Sequence, residues 1–206
     1  MHAATRLLAV LTIGLACVPL GAHATTVASR NVVQLIDEAN TIVVGSVVAV
    51  SDGFDERGLP YTEVAFEVHE SLEGAAADTL TFRQFGLSAP RKTADGKRQW
   101  LMKPDGWPTW RVGEHALVFL APPASKTGFR TTVGLAQGKL PIRNGLMQRP
   151  AHLFEGVEAT PGTLSASESQ VAAGHAGPVS ADTIVGMVRR AVAQRWVQEG
   201  RLRNAP

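Results

Sequence analysis

Beyond residue 24, the residues of this chain able to do chemistry are four histidines, one acidic group, two serines near glycines, and a run of tryptophans among lysines and arginines. His69, His115, His152 and His175 show neither a His-Glu-x-x-His nor a His-x-x-x-His arrangement, so spacing alone defines no zinc site. His69 alternates onto the same strand face as Glu67, a geometry open to a metal, although a solvated strand face is the commoner outcome. Asp52, Asp55 and Glu56 offer oxygens to calcium without the spacing of a calcium loop, and read as a hydrated turn. Ser46 in Val44-Gly45-Ser46-Val47 and Ser88 in Gly86-Leu87-Ser88-Ala89-Pro90 both lack the second glycine and sharp turn that expose a nucleophile. No phosphate-cradling glycine loop is present. The sequence therefore assigns no catalytic residue, no metal ligand and no cofactor, and the chain is not expected to be an enzyme.

The remaining candidate is a surface. Between Gly86 and Val112 the apolar patterning fails, and Arg91, Lys92, Lys97, Arg98, Lys103 and Arg111 interleave with Trp100, Trp107 and Trp110. A patternless stretch of this length inside a compact domain tends to be functional or mobile. Indoles and guanidiniums concentrate binding energy at protein contacts, stack on sugar rings and stack on unpaired bases. Trp100, Trp107, Trp110, Arg91, Lys97, Arg98 and Lys103 are thus the expected binding residues. In the competing reading, the indoles fold under the loop and plug one open end of the domain.

Compartment narrows the partner. Met1 to Arg6 is short and positively charged, Leu7 to Leu20 is apolar, and Ala22-His23-Ala24 is an Ala-x-Ala cleavage pattern, so an export signal ending at Ala24 is expected. The apolar run, broken by Pro19, is too short to span a bilayer, and no later stretch is a candidate, so no transmembrane segment is expected after cleavage. The only cysteine, Cys17, lies inside the signal, leaving a mature chain that stands on its hydrophobic core without disulfides. Removing Arg6 takes the formal charge from +2 to about +1, which exerts no global pull on nucleic acid or acidic lipid. A periplasmic or secreted protein follows, with an envelope or extracellular protein or glycan as partner and no nucleic acid.

The elements that must position these residues are mostly strands. Thr41 to Val50 is β-branched and apolar on both faces, Val43 and Val47 on one and Ile42, Val44, Val48 and Val50 on the other, so it predicts a strand buried on both. Ser51 to Pro60 predicts a loop, and Tyr61 to Glu70 alternates strictly, with Thr62, Val64, Phe66 and Val68 inward. Further strands are expected at Thr79–Phe85, Gly113–Leu120, Phe129–Leu135 and Leu140–Ile142, the last closed by an Asn144-Gly145 hairpin turn. Ser29 is the expected cap of a short helix reaching Ala39, and Ser180 of an amphipathic helix from Ala181 to Glu199. The segment 151–180, rich in Ala, Gly, Ser and Thr, reads as a flexible linker between a domain at 25–150 and that terminal helix at 181–199.

Short strands with a helix at each end and a doubly buried central strand predict a small antiparallel β-barrel, closed or partly open. Three stretches carry a resemblance: Ala39-Asn-Thr-Ile-Val-Val-Gly45-x-Val47, Tyr61-Thr-x-Val-x-Phe66-x-Val68, and Gly113-Glu114-x-x-Leu117-Val-Phe-Leu120. Over roughly Val32 to Ile142 the chain resembles the OB-like barrel of the netrin-module and tissue-inhibitor-of-metalloproteinases superfamily, and uncharacterised bacterial exported proteins built on that plan. The resemblance implies fold more than function. The inhibitors of that superfamily chelate the protease zinc through an N-terminal cysteine held by disulfides, whereas this mature chain would begin Thr25-Thr26 without any. A non-catalytic binding module is therefore the expectation, with an inhibitor-like protein acting on an exported protease, or a hydrolase with an unplaced active site, as alternatives.

Overall fold

The computed structural model describes residues 28–74, 77–92, 98–99, 106–148, 151–174 and 177–205. The expected signal and its cleavage point lie outside the described residues. The protein is mainly β, and its main sheet is antiparallel.

Helix α1, Val32–Glu38, starts at Asn31, not Ser29. Asn31 is three residues from Gln34, so the Asn31 side chain accepts from the Gln34 N–H while the Gln34 side chain accepts from the Asn31 N–H. This reciprocal cap satisfies two end donors that Ser29 is too far away to reach. The helix buries Val32, Val33, Leu35 and Ile36.

Strands β1, Thr41–Phe54, and β2, Pro60–Glu73, pair along almost their whole length. The predicted ten-residue loop shrinks to Asp55–Leu59, because the polar residues before it pair across the hairpin, Ser51 with Glu63 and Asp52 with Thr62. The Asp55 carboxylate closes the turn by accepting from the N–H groups of Arg57 (2.9 Å) and Leu59 (2.8 Å). Polarity ended the hydrophobic pattern but not the backbone ladder.

Strand β3, Thr79–Phe85, follows, then two short paired strands, β4 (Arg91–Lys92) and β5 (Arg98–Gln99). Strand β6, His115–Leu120, lies between β1 and β7, Lys139–Arg143, which turns through Asn144-Gly145 into β8, Leu146–Gln148. Both turn residues have positive φ, 52° and 72°, as a two-residue hairpin demands. Beyond these lie β9 (Val157–Ala159), helix α2 (Ala166–Ala172), β10 (Pro178–Ser180), helix α3 (Ala181–Ala193) and β11 (Leu202–Asn204). The seven-stranded sheet has the order β10-β8-β7-β6-β1-β2-β3.

The two faces of β1 and β6 feed two cores. Ile42, Val44, Leu117 and Phe119 pack with α1, α3, Trp196 and Leu202. Val43, Val47, Val64, Phe66, Phe82, Ala116, Val118 and Leu120 form the second cluster together with Trp110. Gly45 sits where the β1–β2 register slips, and a Cβ there would come within 2.0 Å of the Glu67 carbonyl oxygen. The close approach of the two backbones requires glycine.

Phe129–Leu135 does not form the predicted strand. Thr132 makes an isolated bridge to Leu120, and the chain then turns at Gly134 and Leu135, both with positive φ, into a single 3-10 turn. On one side the segment bonds β6 and the residue after it, Val133 N–H to Phe119 C=O (2.9 Å) and Ala121 N–H to Thr131 C=O (3.0 Å). On the other, the Arg130 N–H donates to the Arg83 C=O of β3 (2.7 Å).

The flexible linker expected at 151–180 is corrected. Its residues form a 3-10 turn at Ala151–Phe154, then β9, α2 and β10, and they join the first core through Leu153, Phe154, Val171 and Val179. Small residues hid the pattern; order comes from individual anchors. The Ser165 hydroxyl and Glu168 carboxylate cap α2 reciprocally, and Glu168 also receives the Arg190 guanidinium of α3 at 2.5 Å. The division at residue 150 falls with the linker, since β10 pairs in the main sheet and α3 covers the core. Helix α3 ends at Ala193, short of Glu199, because Arg195 takes φ 49° and the chain doubles back. The Trp196 C=O then accepts from Arg201 (2.8 Å) and Leu202 (3.0 Å), which lines β11 up against β9. Ser180 precedes α3 without a side-chain cap; the Ala181 N–H donates to the Gly145 C=O instead.

Candidate binding cleft and histidine pair

The hairpin tip, the outer face of β2 and β3, and the turn at 127–130 enclose an open cleft of about 680 Å³. Strand alternation puts Tyr61 and Glu63 of β2 and Arg83 of β3 on its floor, and the long hairpin brings Asp55, Glu56 and Arg57 to its rim. Glu63 and Arg83 are register partners, and the Arg83 Nε donates to Glu63 at 2.8 Å, which raises the guanidinium pKa further. The guanidinium also lies over the Tyr61 ring, 4.3 Å from its centre. Phe129 meets Tyr61 edge-on, with ring centres 6.0 Å apart. Arg130 is held by the Ala121 carbonyl and the Asn40 and Thr41 side chains, and burial lowers its pKa. Arg57 donates to the Lys126 C=O at 2.8 Å, joining the hairpin tip to the opposite turn. The lining mixes three arginines with three carboxylates around aromatic rings. Its chemistry is that of a polar, stacking surface; no lining nucleophile lies next to a histidine.

The predicted tryptophan surface divides. Lys97, Trp100 and Lys103 lie outside the described residues. Arg91 and Arg98 belong to the short β4–β5 pair, their side chains outside the description. Trp107 is half-buried, its ring centre 6.3 Å from that of Phe85. Trp110 is 7% exposed and sits in the second core, edge-on to Phe82 at 5.4 Å. Its Nε1 donates to Gln84 Oε1 (3.1 Å), and the Gln84 amide donates to the Pro108 C=O (3.1 Å), so one buried glutamine ties this segment to β3. Lys139 approaches the same indole at 4.9 Å and pairs with Glu114 at 2.7 Å.

The acidic group at the hairpin is occupied internally. Burial raises the Asp52 carboxyl, but donation from the Ser88 N–H and hydroxyl, Thr62 and the Ala89 N–H outweighs it and holds the group below its ordinary value. Ser88 is thereby a partner of Asp52. Among the described residues no three His, Cys, Asp or Glu side chains converge as a metal site. One juxtaposition was not legible in the sequence: His69 of β2 and His115 of β6 face each other, ring centres 5.2 Å apart.

Tyr61, Arg83, Phe129 and Arg130 were missed as site residues. The signal available was an aromatic and a charge pair on the polar face of adjacent strands. The Phe129–Arg130 turn carries no such signal, because its place against β3 is a long-range contact. No family model, curated protein or solved structure matches the chain. Among the described residues no helix is long and apolar enough to cross a membrane.

Proposed function

We propose that this chain is a non-catalytic exported binding module on an OB-like barrel, taking an envelope or extracellular protein or glycan in the cleft floored by Tyr61 and Arg83. The barrel reading, of the netrin and metalloproteinase-inhibitor kind, is supported by the second core and by the Arg130–Arg83 backbone bond, which joins the β6 side to β3. OB-type barrels bind along the β2–β3 face between two loops, and the cleft lies on that face here. The observation that carries the reading is the Arg83 guanidinium over the partly exposed Tyr61 ring, backed edge-on by the buried Phe129: a charged group and an aromatic ring at an open surface offer a sugar ring or an extended peptide stacking and hydrogen bonds together. Trp107, beside Phe85 at the end of β3, extends this surface toward the tryptophan segment.

Export is part of the proposal, and mass spectrometry of the envelope fraction should find a chain beginning at Thr25. Binding is tested by titrating the mature protein with a panel of acidic and neutral oligosaccharides and extended peptides, followed by calorimetry. Tyr61→Ala and Arg83→Ala should each weaken the best ligand at least about tenfold, the loss of roughly 1.4 kcal/mol expected when one stacking contact goes. Undiminished binding by both variants would overturn the assignment of this cleft.

A further inference from the structure

His69 and His115 come from strands that are not neighbours: β1 runs between them, and its Ser46 pairs with Glu67 on one side and His115 on the other. Both imidazoles nevertheless lean together, tilted by 55°, with centres 5.2 Å apart. Two imidazoles bound through nitrogen to one tetrahedral ion, at about 2.0–2.1 Å each, place their ring centres roughly 5 Å apart. The His115 Nε2 is buried without a hydrogen-bond partner. An orphaned buried nitrogen costs free energy, and an apolar residue at this register position would avoid that cost. The Glu67 carboxylate stands 3.7 Å from the His69 Nε2, close enough to add negative charge beside a cation. On the His115 side the pair borders a surface depression lined also by Glu114, Pro141, Ile142 and Arg143, and on the other the His69 side chain is 45% exposed.

We propose that His69 and His115 form a two-histidine site for a divalent transition metal of the zinc type, with solvent completing the coordination and Glu67 at its edge. The donor set suits such an ion: imidazole nitrogens favour zinc, copper and nickel over magnesium or calcium. Of the neighbouring charged groups, Glu63 is paired with Arg83, Glu70 with Arg189 and Glu114 Oε1 with Lys139, while Glu114 Oε2 is buried without a partner. The site lies apart from the ligand cleft and shares no lining residue with it.

The test is calorimetric titration of the mature chain with zinc chloride at pH 7.5 and pH 5.5. One ion per chain should bind at the higher pH, with clearly weaker binding at the lower, because metal binding to nitrogen ligands releases protons and acid opposes it. His69→Ala is the decisive variant, because its side chain is 45% exposed and its removal should leave the fold intact, checked by circular dichroism. It should lose at least about tenfold in affinity, as should His115→Gln checked for folding by circular dichroism, while His152→Ala changes nothing. Unaltered zinc affinity in His69→Ala, or no heat of binding up to millimolar zinc, would overturn the proposal.

Discussion

Replacing Glu168 by alanine tests whether the 151–180 segment belongs to the cooperative fold. The Glu168 side chain is 4% exposed and has two tasks: it accepts from the Ser165 N–H at the start of α2 and holds Arg190 of α3. Losing a reciprocal cap costs about 1 kcal/mol, and a hydrogen bond to a charged group contributes about 1.5–3. The 3–5 kcal/mol typical of stranding a buried charge does not apply in full, because the Arg190 side chain is 40% exposed and regains water. The variant should therefore lose about 2–4 kcal/mol. At roughly 2–4 °C per kcal/mol for a domain of this size, its melting temperature should fall by about 4–16 °C in a calorimetric scan. A double-mutant cycle with Arg190→Met should return a coupling of about 1–2 kcal/mol. A drop below about 2 °C, with no coupling, would mean that α2 is not part of the folding unit and would refute the reasoning.

Gly45→Ala should destabilise by more than about 3 kcal/mol or prevent folding, since the added carbon meets the Glu67 backbone and Phe66 ring; chemical denaturation measures it, and a change under about 1 kcal/mol would contradict the close approach. Gln84→Leu leaves the Trp110 indole N–H and the Pro108 carbonyl without partners and should cost about 2–3 kcal/mol, read as a lower urea midpoint and altered tryptophan fluorescence. Stability should also fall with acid. Asp52, Glu70 and Glu168 have pKa values lowered by folding, so their contribution is full above the unfolded values near 4 and disappears as pH falls through the folded ones. His115, also lowered, adds a loss beginning below its unfolded value near 6.5; Glu73, raised by burial, works in the opposite sense. Melting temperatures that stay level from pH 7 to pH 3.5 would contradict these assignments.

What the sequence by itself determined was the strand character of β1, β2, β3 and β6 and the facing of β1 as far as Val47. Past the register slip at Val47–Ala49 the alternation breaks, so Val48 is 46% exposed and Val50 packs against the second core instead of joining Ile42 and Val44. Val43 and Val47 point to one core, Ile42 and Val44 to the other, and Leu117 and Phe119 alternate with Val118 and Leu120, because side-chain direction in a strand follows a two-residue period that composition displays directly. The Asn144-Gly145 hairpin was equally legible, its φ requirement being local. Tertiary structure alone decided the order of 151–180, where single anchors such as Glu168 and Val171 do what no apolar period announces. It alone set Trp110 against Phe82 and Gln84, Arg130 against β3, and His69 beside His115. Those pairings join residues tens of positions apart, and their geometry exists only once the strands between them have taken their register.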